Sequence, residues 1–181
     1  GCAAIPAPYR ERSQMAFDTG YRIVEMVEEN LKPSDIMTKK SFENAIVTAS
    51  AIGASSNAPP HLIAIAKKLN IDLTLDDWER CGENVPLLVN MQPSGKYLGE
   101  GFFKAGGVPV VMKELNKNDK LNKEVITVSG KTMDENLKDI LREENEVIYD
   151  FKKPIKEKAG FLVLRSNFFD TAIMKMSVIS P

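Results

Sequence analysis

The sequence predicts a mixed fold, helical in its first two thirds and strand-rich in its last third. Up to about residue 117, apolar residues recur at three- and four-residue steps, which is typical of helices with one buried face. A charged stretch follows at residues 116–120, and the apolar runs beyond it are short and strand-like. We therefore predict a boundary near residue 117, between a helical unit of residues 1–117 and a strand-rich unit of residues 118–181.

Two long helices are predicted first. Pro8 suits a first helical turn, and the residue before Pro33 is pushed out of the helical region, so the first helix lies between them. One stripe of this helix is expected to be buried, and its members are Phe17, Gly20, Val24, Val27 and Leu31. Thr38 is expected to cap the second helix, which is rich in small residues and stops at Gly53.

Shorter helices are predicted from their start and stop signals. Asn57 with the prolines after it opens a third helix, and Thr74 with Asp77 forms a capping box for a fourth that ends at Gly82. Short helices are also expected around residues 102–103, from Pro109 to residue 115, and after a capping box at residues 132–135. Strand-like runs are expected at residues 125–128, 146–149, 161–164 and 171–178, and residues 85–89 form a short buried run.

Composition narrows the range of functions. The chain has 181 residues with 24 Lys and Arg against 25 Asp and Glu, so its net charge of -1 gives no general attraction to nucleic acid or to an anionic membrane. No apolar run approaches the roughly 18 residues that a membrane-spanning helix needs. Hydrophobic residues make up 43% of the chain, which is typical of a folded protein rather than a disordered one.

The chain has two cysteines and one histidine. Cys2 and Cys81 are too few for a disulfide scaffold and favour a reducing compartment. They are also too few to hold a zinc ion or an iron–sulfur cluster, which needs three or four close ligands. Cys81 lies at the end of a predicted helix, where the helix dipole would raise its pKa, so it is a poor nucleophile.

Two phosphate-binding motifs are rejected. Ser129-Gly130-Lys131-Thr132 resembles the end of a P-loop, but Val125 stands where the first glycine of that motif is required. We interpret this segment as a turn with a helix cap. Gly99-Glu100-Gly101 lacks the third glycine of a dinucleotide site. Asp76 and Asp77 lie in a predicted first helical turn, where carboxylates stabilise the helix end. Their presence is therefore not interpreted as a metal site.

One loop is the best candidate for a binding site. Ser55, Ser56 and Asn57 precede a helix N-terminus, which attracts anions, and His61 lies in that helix's first turn. Their hydroxyl, amide and imidazole groups suit a ligand that carries a carboxylate and hydroxyls. The alternative is that the serines and Asn57 only cap the helix, while His61 forms a hydrogen bond inside a packed core.

The order of short segments along the chain closely resembles the dihydroxy-acid and 6-phosphogluconate dehydratase family. The segments cover essentially the whole chain in order, and they include Val85-Pro86-Leu87-Leu88, Pro93-Ser94-Gly95-Lys96-Tyr97, Ala105-Gly106-Gly107-Val108-Pro109 and Gly130-Lys131-Thr132. The family's Gly-Gly-Ser-Thr-Asn segment reads Gly53-Ala54-Ser55-Ser56-Asn57 here. The form Ala58-Pro59-Pro60-His61 is similar to the sugar-acid branch.

The resemblance implies a hydro-lyase that converts a 2,3-dihydroxy acid, either a branched-chain precursor or a sugar acid, to a 2-keto acid. It implies an iron–sulfur cluster that acts as a Lewis acid on the C3 hydroxyl, and Mg²⁺ that assists removal of the C2 proton. It also implies a homodimer in the full-length protein, located in the cytoplasm or the mitochondrial matrix. No nucleic acid or membrane partner is expected.

The family's metal ligands and catalytic serine match no position of this chain, so catalytic and metal-ligating residues are predicted to be absent from it. The resemblance implies the tail of a helical α/β N-terminal domain followed by the start of a β-barrel-like C-terminal domain. The chain starts at Gly1 and stops at Pro181 after a strand-like run, so we expect an internal fragment that is inactive alone. Ser55, Ser56, Asn57 and His61 are expected to lie near the family's active-site cleft.

Two other hypotheses remain open. The chain is a short non-catalytic protein that serves as an interaction or dimerisation module, or it is a small lyase that uses His61 as its base without a metal. The first predicts a start codon near Gly1 and a well-folded product. The second predicts that replacing His61 by Ala abolishes activity.

Overall fold

The computed structural model describes residues 4–179, which form a mostly helical fold with one small sheet. Its helices are α1 (Arg10–Glu28), α2 (Pro33–Ile36), α3 (Lys39–Ile52), α4 (Ala58–Lys68), α5 (Leu75–Gly82), α6 (Gly99–Lys104), α7 (Gly107–Lys117) and α8 (Met133–Leu137). Its strands are β1 (Phe161–Leu164) and β2 (Ala172–Lys175), which pair antiparallel with Phe161 opposite Lys175. Cys2 lies outside the described residues. None of the helices within residues 4–179 is long and apolar enough to cross a membrane.

Helix α3 lies at the centre of the structure. Thr38 caps it by accepting a hydrogen bond from Ser41 N, and Gly53 ends it in the left-handed conformation at φ 64°, as predicted. Its small side chains let neighbours approach closely, and α4, α5 and α7 all pack on it. It contributes Val47 and Ala51 to one core cluster, and Phe42, Ile46 and Ala49 to a second. The two clusters are therefore joined through one helix.

A buried amide connects α3 to the segment that follows α7. The Asn44 side chain is 2% exposed, accepts a hydrogen bond from Asn122 N at 2.7 Å and donates one to Asn122 O at 3.0 Å. Beyond this connection, Leu121, Val125 and Ile148 enter the same core cluster as Val47. Residues on both sides of position 117 thus share a core, and the domain boundary near that position stays a prediction.

The strand predictions are correct at the C-terminal end and wrong in two earlier runs. Residues 161–164 form β1, and residues 172–175 of the predicted run 171–178 form β2, while Met176–Val178 form a short 3-10 helix instead. The run at residues 125–128 makes a single bridge from Ile126 to Thr132, because the chain turns back at Gly130 and enters α8. The run at residues 146–149 makes one bridge, from Ile148 to Val89. Neither run forms a continuous ladder.

The hairpin of β1 and β2 packs against α5. Trp78 of α5 is fully buried, and its ring meets Phe161 edge to face at a centroid distance of 5.0 Å. The backbones come very close beside this pair, since a Cβ built on Gly160 would lie 1.8 Å from the carbonyl oxygen of Gly82. A residue without a side chain is therefore required at position 160.

The predicted buried stripe of α1 is wrong. Phe17 is 62% exposed and Val27 is 76% exposed, and Met26 is the buried residue of the helix. Polar contacts connect α1 to the rest of the fold. At the N-cap, Tyr9 OH donates to Glu100 at 2.5 Å, and on the other face of the helix Arg22 Nε donates to Val128 O at 2.6 Å. Periodicity identified the apolar face correctly but could not show which element covers it.

A buried carboxylate organises the start of α5, as the predicted capping box requires. Asp77 accepts hydrogen bonds from Thr74 N at 3.0 Å, Lys39 Nζ at 2.5 Å and Arg80 Nη2 at 2.9 Å. Burial by itself would raise the pKa of Asp77, but these donors together lower it from 3.8 to about 2. The ionised carboxylate therefore stabilises the folded state.

The first prediction concerns the close backbone approach. Gly160→Ala is expected to lower the free energy of unfolding by roughly 1–3 kcal/mol or more, because its methyl group would overlap the Gly82 carbonyl. Urea unfolding followed by circular dichroism measures this loss. Gly99→Ala is the matched control, since nothing lies within 4 Å of a Cβ at that position. Equal stability of the two variants would contradict the close approach of Gly160 to the Gly82 carbonyl.

The second prediction concerns pH. The pKa of Asp77 is lower in the folded chain than its ordinary value, so the ionised carboxylate stabilises the fold by roughly 2 kcal/mol. This stabilisation is present above about pH 4 and is lost as the pH falls through about 2. Asp77→Asn should lose this stability at neutral pH, and its difference from the original chain should shrink towards pH 2. Asp76→Asn, which changes an exposed carboxylate on the same helix, should show a much smaller difference. Urea unfolding across this pH range distinguishes the two variants.

Candidate functional site

The predicted binding residues lie together at the surface, on the loop between α3 and α4 and on the first turn of α4. Ser55, Ser56, Asn57 and His61 are all exposed. Asn57 and His61 are four residues apart, with His61 N donating to Asn57 O at 3.4 Å, so they lie on the same side of this turn. The four residues are therefore neighbours on one exposed surface, whereas their role as a substrate site stays a prediction.

The side chains of this loop are available to a ligand. Ser55 Oγ accepts a hydrogen bond from Asn57 N at 3.2 Å, which fixes the turn. Within residues 4–179, the side chains of Ser56, Asn57 and His61 have no hydrogen-bond partner. Asn57 occupies the N-cap position, but its side chain makes no capping bond. Of the capping alternative, the contact of Ser55 with the loop backbone is therefore present, whereas the Asn57 side chain makes no capping bond.

The alternative of a core histidine is wrong. His61 is exposed, because Pro59 on the same turn takes the buried position against the protein body. The first turn of α4 carries no acidic residue, so the partial positive charge of this helix end is not offset locally. An imidazole, a primary amide and a hydroxyl at such a position can hydrogen-bond a carboxylate or a hydroxyl group.

A polar cavity of about 420 Å³ lies close to the start of this loop. Its walls include Ser94, Lys156 and Ser177, which come from three separate segments of the chain. Gly53, which begins the loop, lies close to this wall, since a Cβ built on it would lie 3.1 Å from Ser177 Oγ. Ser94 Oγ and Ser177 Oγ are 3.0 Å apart and share a hydrogen bond.

Lys156 forms hydrogen bonds across this cavity to the last residues that the structure describes. Its ammonium donates to Met176 O at 3.1 Å and to Ile179 O at 2.7 Å. Sequence reasoning missed Ser94, Lys156 and Ser177 as neighbours, because they lie far apart in the chain. The segment Pro93-Ser94-Gly95 carried the one available signal, since it belongs to the motifs that support the family resemblance.

Hydrogen bonds and one close backbone approach fix the conformation of the loop that carries Ser94. Asn90 Oδ1 accepts a hydrogen bond from Lys96 N at 2.8 Å, while Tyr97 OH donates to Glu146 at 2.5 Å. A Cβ at Gly95 would lie 2.5 Å from the carbonyl carbon of Asn90, so only glycine fits there. This loop therefore holds Ser94 in a fixed place beside Ser177.

Metal-ligating side chains do not cluster in the described part of the chain. Within residues 4–179, no three His, Cys, Asp or Glu side chains come together as a metal site. These described residues therefore do not fit an iron–sulfur cluster or a magnesium centre. Burial chiefly raises the pKa of the half-buried Cys81 thiol, so the predicted direction is confirmed, although the cause differs from the helix end that we expected.

Comparison with known proteins agrees with the resemblance. The family model described as dihydroxy-acid/6-phosphogluconate dehydratase N-terminal matches residues 1–136. The chain is 55% identical over 179 residues to D-xylonate dehydratase of Caulobacter vibrioides, covering 99% of this chain and 30% of that protein. It is 51% identical over 182 residues to L-arabinonate dehydratase of Rhizobium leguminosarum, covering 100% of this chain and 31% of that protein.

A dihydroxy-acid dehydratase is a more distant relative. The protein of that name from Acetivibrio thermocellus is 40% identical over 182 residues, covering 100% of this chain and 33% of that protein. The chain therefore belongs to the dihydroxy-acid/6-phosphogluconate dehydratase family, and the predicted family is confirmed. It spans about 30% of the length of its dehydratase relatives.

The third prediction concerns Lys156. Lys156→Met removes two hydrogen bonds to the backbone of residues 176–179, so the amides of Met176 and Ile179 should exchange hydrogen roughly tenfold faster. Lys152→Met, which changes an exposed lysine four residues earlier, is the control. Mass-spectrometric hydrogen exchange measures both variants, and unchanged exchange in Lys156→Met would show that Lys156 does not fasten this segment.

Proposed function

We propose that this chain is part of a hydro-lyase that removes water from a 2,3-dihydroxy acid to give a 2-keto acid, and that the acid is a sugar acid. The observation that supports this best is the identity of 55% and 51% to two sugar-acid dehydratases over essentially the whole chain, against 40% to a dihydroxy-acid dehydratase. A branched-chain dihydroxy acid is the second candidate substrate, and the Acetivibrio relative supports it.

We propose that the exposed loop contributes to substrate binding. Ser56, Asn57 and His61 present a hydroxyl, an amide and an imidazole beside a helix N-terminus, and this set suits an acid that carries several hydroxyl groups. In this role the three side chains orient the acid through hydrogen bonds. The proton-transfer steps would then belong to residues outside this chain.

We propose that the whole protein uses an iron–sulfur cluster and Mg²⁺ held by residues outside this chain. The described residues do not fit either group. The start of a β-barrel-like second domain, a homodimeric whole protein and the predicted absence of nucleic-acid and membrane partners belong to the same proposal. A cytoplasmic location is part of it too, since the relatives named above come from bacteria, which have no mitochondria.

A non-catalytic interaction module is the second candidate function. The observation that favours it is the exposed apolar face of α1, which a partner could cover. A small lyase with His61 as its base finds less support, because no carboxylate or other partner orients the imidazole within residues 4–179.

The test is to express the complete reading frame that contains this chain and to supply iron, sulfide and Mg²⁺. The product is assayed for keto-acid formation from D-xylonate, L-arabinonate and a branched 2,3-dihydroxy acid. We expect turnover of a sugar acid, and no turnover by the 181-residue chain alone. Activity on the branched acid alone would overturn the substrate assignment, and a reading frame limited to this chain would favour the interaction module.

The fourth prediction concerns the loop in that complete product. Asn57→Ala and His61→Ala should each raise the KM for the acid about tenfold with a smaller change in kcat, because each removes one hydrogen bond to a charged ligand. Lys67→Ala at the far end of α4 is the control and should leave both constants unchanged. Loss of kcat in His61→Ala with an unchanged KM would instead assign His61 to proton transfer.

A further inference from the structure

Lys175 of β2 is a half-buried cation that has no partner within residues 4–179. Five lysines of this part of the chain are half-buried, and four of them have an acceptor for their ammonium group. These four pairs are Lys39 with Asp77, Lys113 with Leu137 O, Lys123 with Asp119 and Lys156 with Met176 O. The ammonium group of Lys175 forms no hydrogen bond or ion pair with the described residues.

The burial of Lys175 has a cost that these residues do not offset. Partial removal of an ammonium group from water disfavours its charged form, so burial lowers the pKa of Lys175 below its ordinary value. A cation that is held out of water without a carboxylate beside it is typical of a binding site, where the ligand supplies the opposite charge.

The register of the hairpin places Lys175 on its inward face. Residues opposite each other in an antiparallel pair share one face of the sheet, and Lys175 is opposite Phe161. Phe161 is fully buried against Trp78 of α5. Met174, the preceding residue, belongs to the other face and is 40% exposed. Lys175 therefore lies on the side of the hairpin that packs against the helical body.

The residues on either side of Lys175 lie beside the candidate loop. Ile173 packs on the core cluster that also receives Ala54 and Ala58, the alanines that flank the three polar residues of the loop. Ser177 lies close to the first residue of the loop, where a Cβ would be 3.1 Å from Ser177 Oγ. The stretch of residues 173–177 therefore runs past the loop, with Lys175 at its middle.

The neighbouring cations are already engaged. Arg165, at the other end of the hairpin, donates to Asp76 and Glu79. Lys156, in the cavity that Ser177 lines, donates to two backbone carbonyl groups. Among these three cations, only Lys175 has no competing acceptor within residues 4–179.

We propose that Lys175 supplies the positive charge that binds the carboxylate of the acid at this loop. This role rests on the proposed function, because it names a ligand contact of the same site. Ser56, Asn57 and His61 suit the hydroxyl groups of a sugar acid, but none of them carries a permanent positive charge. An ammonium group beside them completes the set, because hydrogen bonds between charged groups are the strong ones.

The experiment measures protection of Lys175 in the complete product of the reading frame, supplied with iron, sulfide and Mg²⁺. The protein is acetylated briefly with acetic anhydride, and each lysine is followed by mass spectrometry. Excess D-xylonate or L-arabinonate should slow acetylation of Lys175 at least about tenfold, because a saturated site is seldom free. Xylitol, which carries hydroxyl groups but no carboxylate, should not protect it. Acetylation of Lys152, which is exposed, should stay unchanged throughout.

Substitution of Lys175 provides a second measurement. Lys175→Met should raise the KM for the sugar acid at least about tenfold with a smaller change in kcat, because it removes a charged contact to the bound acid. Lys175→Arg keeps the charge and should recover most of the affinity. Lys152→Met is the control and should leave both constants unchanged.

The outcomes separate this role from the proposed function. Turnover of a sugar acid with Lys175 unprotected, or equal protection by xylitol, would overturn the carboxylate contact and leave the hydro-lyase intact. A Lys175 that resists acetylation before any acid is added is already paired within the complete protein, and this result would also overturn the contact. Protection of Lys175 by the acids without turnover would support the contact and overturn the hydro-lyase. Absence of both protection and turnover would overturn both.

Discussion

Burial of α3 on nearly every side is the constraint on which the rest of the structure depends. A helix can accept neighbours all round only if its side chains are small, and Ala49, Ser50 and Ala51 satisfy this requirement along its last turn. Because α4, α5 and α7 all pack on this helix, its position sets theirs. Its end at Gly53 then determines where the candidate loop emerges.

The same helix connects parts of the chain that lie far apart in sequence. Asn44 forms two hydrogen bonds with Asn122, and Gly53 lies so close to Ser177 that a Cβ on it would be 3.1 Å from Ser177 Oγ. Both contacts use backbone or very short side chains, so they leave little freedom in the relative positions of the segments. The cavity beside the loop, with Lys156 across it, is formed by this convergence rather than by any single motif.

Local signals in the sequence predicted most helix boundaries, because caps and stops depend on a few neighbouring residues. Thr38, Asp77 and Gly53 act where the sequence placed them. Whether the apolar stripe of α1 is buried could not be predicted. Periodicity shows which residues share a face of a helix, but not whether another element packs against that face. Runs at residues 125–128 and 146–149 have strand-like composition, but pairing depends on distant segments, and each makes a single bridge. For the same reason, Ser94, Lys156 and Ser177 could not be grouped from sequence alone.

The contact between Trp78 and Phe161 gives this molecule an internal optical reporter. The chain contains one tryptophan, fully buried in α5, and the C-terminal hairpin supplies the ring that covers it. Indole emission shifts to longer wavelength when water reaches the ring. Intrinsic fluorescence therefore follows detachment of the hairpin from the helical body without any added dye.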